Sequence, residues 1–165
     1  MGCDIHSYCE FYNSKTKNWV VYKGKSFDHS YDLHDGSRRE IILNSTPFYW
    51  RNYTLFAILA DVRNGGNIIP ISQPKGLPKN VSKALKKVSD DWGVDGHSHS
   101  YFTLEELLEY DDWEKIISDS DYDKGNHKTL GTYCNIDMPI SVLLQYAKKK
   151  KLKHNQIRIV FWFDN

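Results

Sequence analysis

One short segment of the chain, residues 93–100 with the sequence Gly-Val-Asp-Gly-His-Ser-His-Ser, concentrates the side chains that could do chemistry. Two histidines separated by one residue point to the same side of an extended backbone, so His97 and His99 could face one ligand. With Asp95 nearby, the pair suits zinc, manganese or iron. The same groups, with Ser98, could instead hold a phosphate by hydrogen bonds or act in acid–base catalysis. We therefore expect the functional site here, with Asp95, His97 and His99 as catalytic residues if the protein is an enzyme.

A second polar pair, Asp4 and His6, lies on the first predicted strand. Alternation along that strand places both side chains on one face, together with Tyr8. If this face meets the 93–100 segment, five potential metal ligands converge: Asp4, His6, Asp95, His97 and His99. The alternative is that Asp4 and His6 form the solvent-facing side of a hairpin. The sequence leaves the cofactor open, with a divalent metal as the candidate.

Three cations are dispersed as a phosphate clamp would need. Arg51 and Arg63 flank the strongest predicted helix, and Lys75 follows in a proline-rich connection. Arginine binds phosphate through two parallel hydrogen bonds, and the free N–H groups of a helix N-terminus attract anions. The alternative is that Arg63 caps the end of the helix and Arg51 is a surface charge. The residues predicted to bind a ligand are Arg51, Asn52, Tyr53, Arg63, Lys75, Asp95, His97, Ser98 and His99.

Several well-known kinds of site are excluded because their motifs are missing. The chain has neither the Gly-x-x-x-x-Gly-Lys-Ser/Thr phosphate loop nor the Gly-x-Ser-x-Gly nucleophile elbow. Asp119, Asp121 and Asp123 resemble the start of a calcium loop, but Leu130 stands where the twelfth position needs glutamate. The three cysteines form no Cys-x-x-Cys pair, so neither a disulfide framework nor a thiolate zinc site is predicted. A net charge of +1 offers no general attraction for long nucleic acid.

Hydrophobic periodicity predicts a single domain, residues 1–165, with an α+β fold: an antiparallel sheet from an N-terminal hairpin and the C-terminal strand, with about four helices packed on one face. The predicted strands are 3–12, 19–22 and 156–163. The predicted helices are 52–62, which Asn52 can cap, 80–92, one that starts with a capping box formed by Thr103 and Glu106, and 139–150. The very apolar 156–163 strand should be central. Residues 23–46 form a polar loop with a short strand at 40–43, and their Asp- and His-rich part, 28–35, is interpreted as solvated rather than as a metal site.

The location of the protein is predicted from what the sequence lacks. Its N-terminus has no basic stretch followed by an apolar run, so no signal peptide is expected. No apolar run approaches the ~20 residues that span a bilayer. We therefore expect a cytoplasmic protein with no membrane partner. The Phe-Trp-Phe sequence at 161–163 could form an interface, so a homo-oligomer is a further expectation.

Five segments of the chain resemble a family of small bacteriophage proteins. The segments are MGCDIH at 1–6, RNYTLFAILADVRN at 51–64, PISQPKGLP at 70–78, WGVDGHSHS at 92–100 and VFWFDN at 160–165. The resemblance implies action inside an infected bacterium. It supplies no established activity and no known catalytic residues, but it highlights the polar segments that chemistry also singles out.

Three functional hypotheses follow from these residues. The first is a nucleotide-binding protein, in which the cations neutralise phosphates and some of the aromatic residues, 14% of the chain, stack on a base. One use would be to sequester a host nucleotide immune signal. The second is a metal-dependent or His-based phosphodiesterase or phosphohydrolase that cleaves such a nucleotide, and the third is a module that binds a host protein. The sequence favours nucleotide binding, because the metal-ligand residues match no recognisable enzyme signature.

Overall fold

A four-stranded antiparallel sheet forms the centre of the computed structural model, which describes residues 2–24, 27, 45–117 and 128–165. The strands are β1 (Asp4–Asn13), β2 (Asn18–Val21), β3 (His97–Thr103) and β4 (Ile157–Asp164). Their order across the sheet is β2-β1-β4-β3. The predicted α+β class, the N-terminal hairpin and the central position of the C-terminal strand are all confirmed. β3 is not among the predicted strands, and it lies between the predicted helix 80–92 and the one that starts at 103.

Two predictions, the loop strand at 40–43 and the solvated Asp- and His-rich stretch at 28–35, lie outside the described residues. The three aspartates of the rejected calcium loop lie outside them as well. Among the described residues, no helix is both long and apolar enough to cross a membrane.

Five helices accompany the sheet within the described part of the chain. They are α1 (Tyr53–Ala60), α2 (Lys83–Trp92), α3 (Leu104–Leu108), α4 (Leu130–Tyr133) and α5 (Asp137–Lys150). Asn52 caps α1 by accepting a hydrogen bond from the Leu55 N–H at 2.9 Å, as its position in the sequence predicts. The predicted capping box also forms, because the Thr103 hydroxyl and the Glu106 carboxylate satisfy each other's backbone N–H groups.

Helices cover both faces of the sheet, so the prediction that they lie on one face is wrong. α1, α3 and α5 pack with Ile5, Ile159 and Phe161 in the larger core. On the opposite face, Leu85 and Val88 of α2 pack with four buried side chains of the strands, which are Tyr8, Val21, Val160 and Trp162. β4 is buried on both sides along Ile157–Phe163, and this explains why its sequence is almost continuously apolar.

A buried ion pair connects the start of α2 to the centre of the sheet. Arg158 of β4 is 3% exposed and donates from Nε to Oε2 of Glu10 at 2.8 Å, while Glu10 itself is 0% exposed. The other carboxylate oxygen of Glu10 accepts from the Ser82 N–H at 2.8 Å. Arg158 also donates to the side-chain oxygen of Asn80 at 2.8 Å and to its carbonyl at 3.1 Å. Because Asn80 and Ser82 are held in this way, α2 begins at Lys83 and not at Asn80 as predicted.

Candidate functional site

The two histidines of the 93–100 segment face opposite sides of the sheet. β3 pairs with β4 through His97 opposite Phe163 and Ser100 opposite Phe161, so Ser98 and His99 together lie opposite the single residue Trp162. This arrangement is a β-bulge, and Ser98 adopts a left-handed backbone with φ of 51°. The bulge shifts the alternation by one residue, and the expectation that both imidazoles face one ligand is therefore wrong.

Each imidazole packs on a different aromatic ring of β4. His97 stacks on Phe163 with the ring centroids 6.1 Å apart, and its Nδ1 lies 3.0 Å from the Ser98 hydroxyl. His99 stacks on Trp162 at 5.6 Å, and its Nε2 lies 3.0 Å from the Ser89 hydroxyl of α2. Burial, reinforced by the neighbouring His97, lowers the pKa of His99 below its ordinary value. Asp95 is exposed in the short turn that precedes β3.

His6 reaches the same aromatic ring as His99, but Asp4 does not join them. The His6 ring lies 6.2 Å from the Trp162 ring and 4.0 Å from the Trp92 ring. Its Nε2 lies 3.4 Å from an Asp164 oxygen, a contact that becomes an ion pair when His6 is protonated and that lacks hydrogen-bond geometry. No group of three or more His, Cys, Asp or Glu side chains in the described part of the chain is arranged to hold a metal. The five predicted ligands therefore do not assemble into a metal site there.

Asp4 instead pairs with the first of the predicted phosphate-binding cations. The Arg51 guanidinium donates to both carboxylate oxygens of Asp4, at 2.8 and 2.7 Å, and about half of each side chain is exposed. The hydrogen bonds from Arg51 hold the pKa of Asp4 below its ordinary value. Arg63 donates to the side chain of Asn165 at 3.1 Å, and the Tyr53 ring lies 6.0 Å from its guanidinium. Both arginines are thus engaged by residues near the two ends of the chain.

Lys75, the third predicted cation, lies in a different part of the molecule, at the outer side of β3. Its ammonium group contacts a Glu106 oxygen at 3.1 Å and lies 4.4 Å from the Tyr101 ring centroid. The Asn52 side chain is also occupied, because it caps α1 and donates to the Tyr133 carbonyl at 3.0 Å. The structure therefore brings Arg51 and Arg63 to one end of the sheet but does not gather the nine predicted ligand-binding residues into one clamp.

A cavity near the start of α1, which the sequence did not predict, is lined by two tyrosines, and we call it the tyrosine pocket. Its volume is about 540 Å³. Its walls are aromatic and aliphatic, and its polar groups include a carboxylate and an ammonium. The residues that define it are Thr54, Ile69, Tyr110, Asp112, Lys115, Leu130 and Tyr133. The pocket adjoins the start of α1, because Asn52 bonds to the backbone of Tyr133.

Lys115 lines the tyrosine pocket, and Lys128 lies on the segment beside it. The Leu130 N–H donates to the Lys115 carbonyl at 2.8 Å, and the Ile117 N–H donates to the Lys128 carbonyl at 3.0 Å, so the two segments run side by side. The ammonium group of Lys128 lies 5.3 Å from the centre of the Tyr133 ring. The pocket thus combines tyrosine rings with positive charge. No single sequence motif could reveal it, since its walls come from segments separated by tens of residues.

A second, more open cavity lies on the opposite side of β3 from the larger core. Its volume is about 470 Å³, and Ser89 and His99 both line it. The Ser89 hydroxyl and His99 Nε2 are thus in hydrogen-bond contact at the edge of a cavity.

The chain matches no protein-family model, no curated protein and no solved structure. Its function therefore has to be inferred from the chemistry of its own sites.

Proposed function

We propose that the protein binds a nucleotide, or a similar small molecule with an aromatic ring and a phosphate, in the tyrosine pocket. The observation that carries this proposal is the combination of two tyrosine rings with Lys115 in a cavity of about 540 Å³. Cavities of roughly 300–1,000 Å³ are typical of small-molecule sites. The resemblance to small bacteriophage proteins is the support for a setting inside an infected bacterium, where the ligand would be a host nucleotide signal that the protein sequesters.

Each part of a nucleotide has a chemical counterpart in this pocket. Tyr110 and Tyr133 offer aromatic faces on which a base can stack, and Ile69 and Leu130 provide apolar contact. Lys115 supplies positive charge for a phosphate, and Lys128 adds to it from beside the Tyr133 ring. The Asp112 carboxylate can accept hydrogen bonds from ribose hydroxyls.

The tyrosine pocket is a better phosphate site than the clamp predicted from the sequence, because both arginines of that clamp already form hydrogen bonds within the protein. Arg51 is bonded on two sides to Asp4, so a phosphate would have to displace a carboxylate to bind there. Arg63 is bonded to Asn165. Metal-dependent hydrolysis has less support than binding, since the described residues contain no arranged group of metal ligands.

Isothermal titration calorimetry with AMP, ADP-ribose and cyclic mono- and dinucleotides tests the proposal. We expect at least one of these to bind, and we expect Tyr133→Ala to weaken it roughly 5- to 150-fold, the loss of about 1–3 kcal/mol that base stacking contributes. Lys115→Ala should weaken the nucleotides but not the corresponding nucleosides. Tyr49→Ala and Lys87→Ala serve as matched controls, because both residues are exposed and do not line the pocket.

Two results would contradict the proposal. One is the absence of binding to every nucleotide in the panel by the wild-type protein at millimolar concentration. The other is binding that Tyr133→Ala and Lys115→Ala leave unchanged, or that the control variants weaken equally, because the ligand would then bind elsewhere.

A further inference from the structure

The contact between Ser89 and His99 has the geometry of a nucleophile and its base, and it is separate from the tyrosine pocket. The Ser89 hydroxyl oxygen lies 3.0 Å from Nε2 of His99. A candidate general base must lie about 2.6–3.2 Å from the oxygen whose proton it removes, and this distance falls within that range. Ser89 is only 6% exposed, but it lines the open cavity together with His99.

The surroundings hold His99 in position for this role. Its ring stacks on Trp162 at 5.6 Å with an angle of 22° between the planes. The backbone carbonyl of His99 accepts a hydrogen bond from the Gly76 N–H at 2.8 Å, and this bond holds β3 along the edge that is not paired with β4. Trp162 is itself completely buried. The imidazole is therefore positioned before any substrate arrives, as catalysis by proton transfer requires.

The cavity beside this pair indicates what kind of substrate would fit. Its volume of about 470 Å³ is lined by Gly76, Leu77, Asp90 and Gly93 in addition to Ser89 and His99. This lining contains no lysine or arginine, and the carboxylate of Asp90 is paired with Lys86 at 2.8 Å. A phosphate would meet no cation among these residues. A neutral ester has no such need, so the chemistry favours a carboxylic ester over a phosphodiester.

We propose that Ser89 and His99 form a catalytic pair that hydrolyses a small neutral carboxylic ester. Ser89 Oγ bonds to the ester carbonyl carbon while its proton passes to Nε2 of His99, and the alcohol leaves with that proton as the C–O bond breaks. Water then attacks the acyl-serine, His99 accepts a proton from it, and the proton returns to Ser89 as the acid is released. The sum is ester and water giving acid and alcohol.

The electrostatics around His99 are compatible with both halves of this cycle. Burial lowers the pKa of His99, so the imidazole is neutral near pH 7 and can accept a proton. Three titratable groups lie near it: His97 on its own strand, Asp90 of α2, which lines the same cavity, and His6 across the Trp162 ring. Ser89 lies in the last turn of α2, whose negative end favours the transient imidazolium.

Labelling with a fluorophosphonate, a neutral reagent that traps activated serines, tests the pair directly. We expect one adduct per molecule of wild-type protein, and peptide mapping by mass spectrometry should place it on Ser89. Ser89→Ala should abolish the adduct, and His99→Gln should slow its formation at least 10-fold. Ser141→Ala is the matched control, because Ser141 is an exposed helical serine that should neither react nor affect the reaction.

The mapped site in the wild-type protein decides the outcome even if a variant fails to fold. A wild-type protein that forms no adduct on Ser89 within hours at millimolar reagent overturns the proposal. So does an adduct whose rate His99→Gln leaves unchanged in a variant with wild-type circular dichroism. Hydrolysis of p-nitrophenyl butyrate that depends on Ser89 would support it, with a rate that falls as pH is lowered and His99 takes up a proton. Nucleotide binding at the tyrosine pocket is unaffected by either result, so the two proposals fail independently.

Discussion

The Glu10–Arg158 pair offers the sharpest prediction about stability, and Arg158→Met is the perturbation that tests it. The substitution keeps much of the apolar length of the side chain but removes the guanidinium. Glu10, which is 0% exposed, then loses its cation while it stays in the core. Two hydrogen bonds to Asn80, which hold the segment before α2, are lost as well.

The expected magnitude follows from the burial of both partners. Breaking a buried ion pair from one side costs about 3–5 kcal/mol, because an uncompensated charge is left behind. Burial lowers the pKa of Arg158 and the Glu10 carboxylate opposes that shift, so the guanidinium depends on its partner in the same way. Glu10→Gln retains an oxygen that can accept from the Ser82 N–H. We therefore expect the double variant Glu10→Gln/Arg158→Met to be more stable than Arg158→Met alone.

Urea unfolding followed by tryptophan fluorescence measures these free energies of unfolding. Lys86→Met is the matched control, because Lys86 pairs with Asp90 at 2.8 Å on the surface, where both side chains are more than half exposed. Such a pair contributes about 0–1 kcal/mol. If Arg158→Met loses no more stability than Lys86→Met, or if the double variant loses the sum of the single effects, the reasoning is refuted.

Three further predictions concern the candidate sites. Asn52→Ala removes the cap of α1 and should lower the free energy of unfolding by about 1 kcal/mol, measured by thermal melting. Arg51→Ala should raise the pKa of Asp4 toward its ordinary value in an NMR titration, since hydrogen bonds from Arg51 lower it. The pKa of His99 is lowered in the folded state, so wild-type stability should fall as pH drops below about 6.5, the unfolded value. His99→Gln should reduce that dependence, and an unchanged pH profile would contradict the assigned environment.

The elements that depend on local signals could be predicted from the sequence. The cap at Asn52, the capping box at Thr103 and the hairpin turn all follow from side-chain types at fixed offsets, and the structure contains them. The central position of the strand Ile157–Asp164 could also be predicted, because its sequence is almost continuously apolar. Val160 and Trp162, which face the side opposite to Ile159 and Phe161, are apolar as well. Apolar residues on both faces of this strand could have indicated that helices cover both sides of the sheet.

The elements that depend on tertiary context could not be predicted. β3 is rich in histidine and serine and shows little apolar alternation, and its bulge at Ser98 breaks the period that identifies a strand. No local signal places Glu10 and Arg158 in the core, because each charge becomes favourable there only when the other is beside it. The tyrosine pocket is formed by segments far apart in the chain, so no local sequence pattern predicts it.

The contacts of Arg51 and Arg63 could not be predicted from the sequence. The structure joins the two ends of α1 to the N-terminal and C-terminal segments through the Asp4–Arg51 and Arg63–Asn165 contacts. Both guanidinium groups are engaged in these contacts, which leaves the arginines poorly placed to act as a phosphate clamp.

Binding of a nucleotide in the tyrosine pocket can be observed residue by residue in a ¹H–¹⁵N NMR titration of the wild-type protein with AMP and ADP-ribose. We expect the amide signals that shift first to belong to the segments around Tyr110, Lys115 and Tyr133, and to shift in proportion to occupancy. Shifts confined to residues 93–100, or no shifts at a several-fold molar excess of either nucleotide, would contradict binding in this pocket.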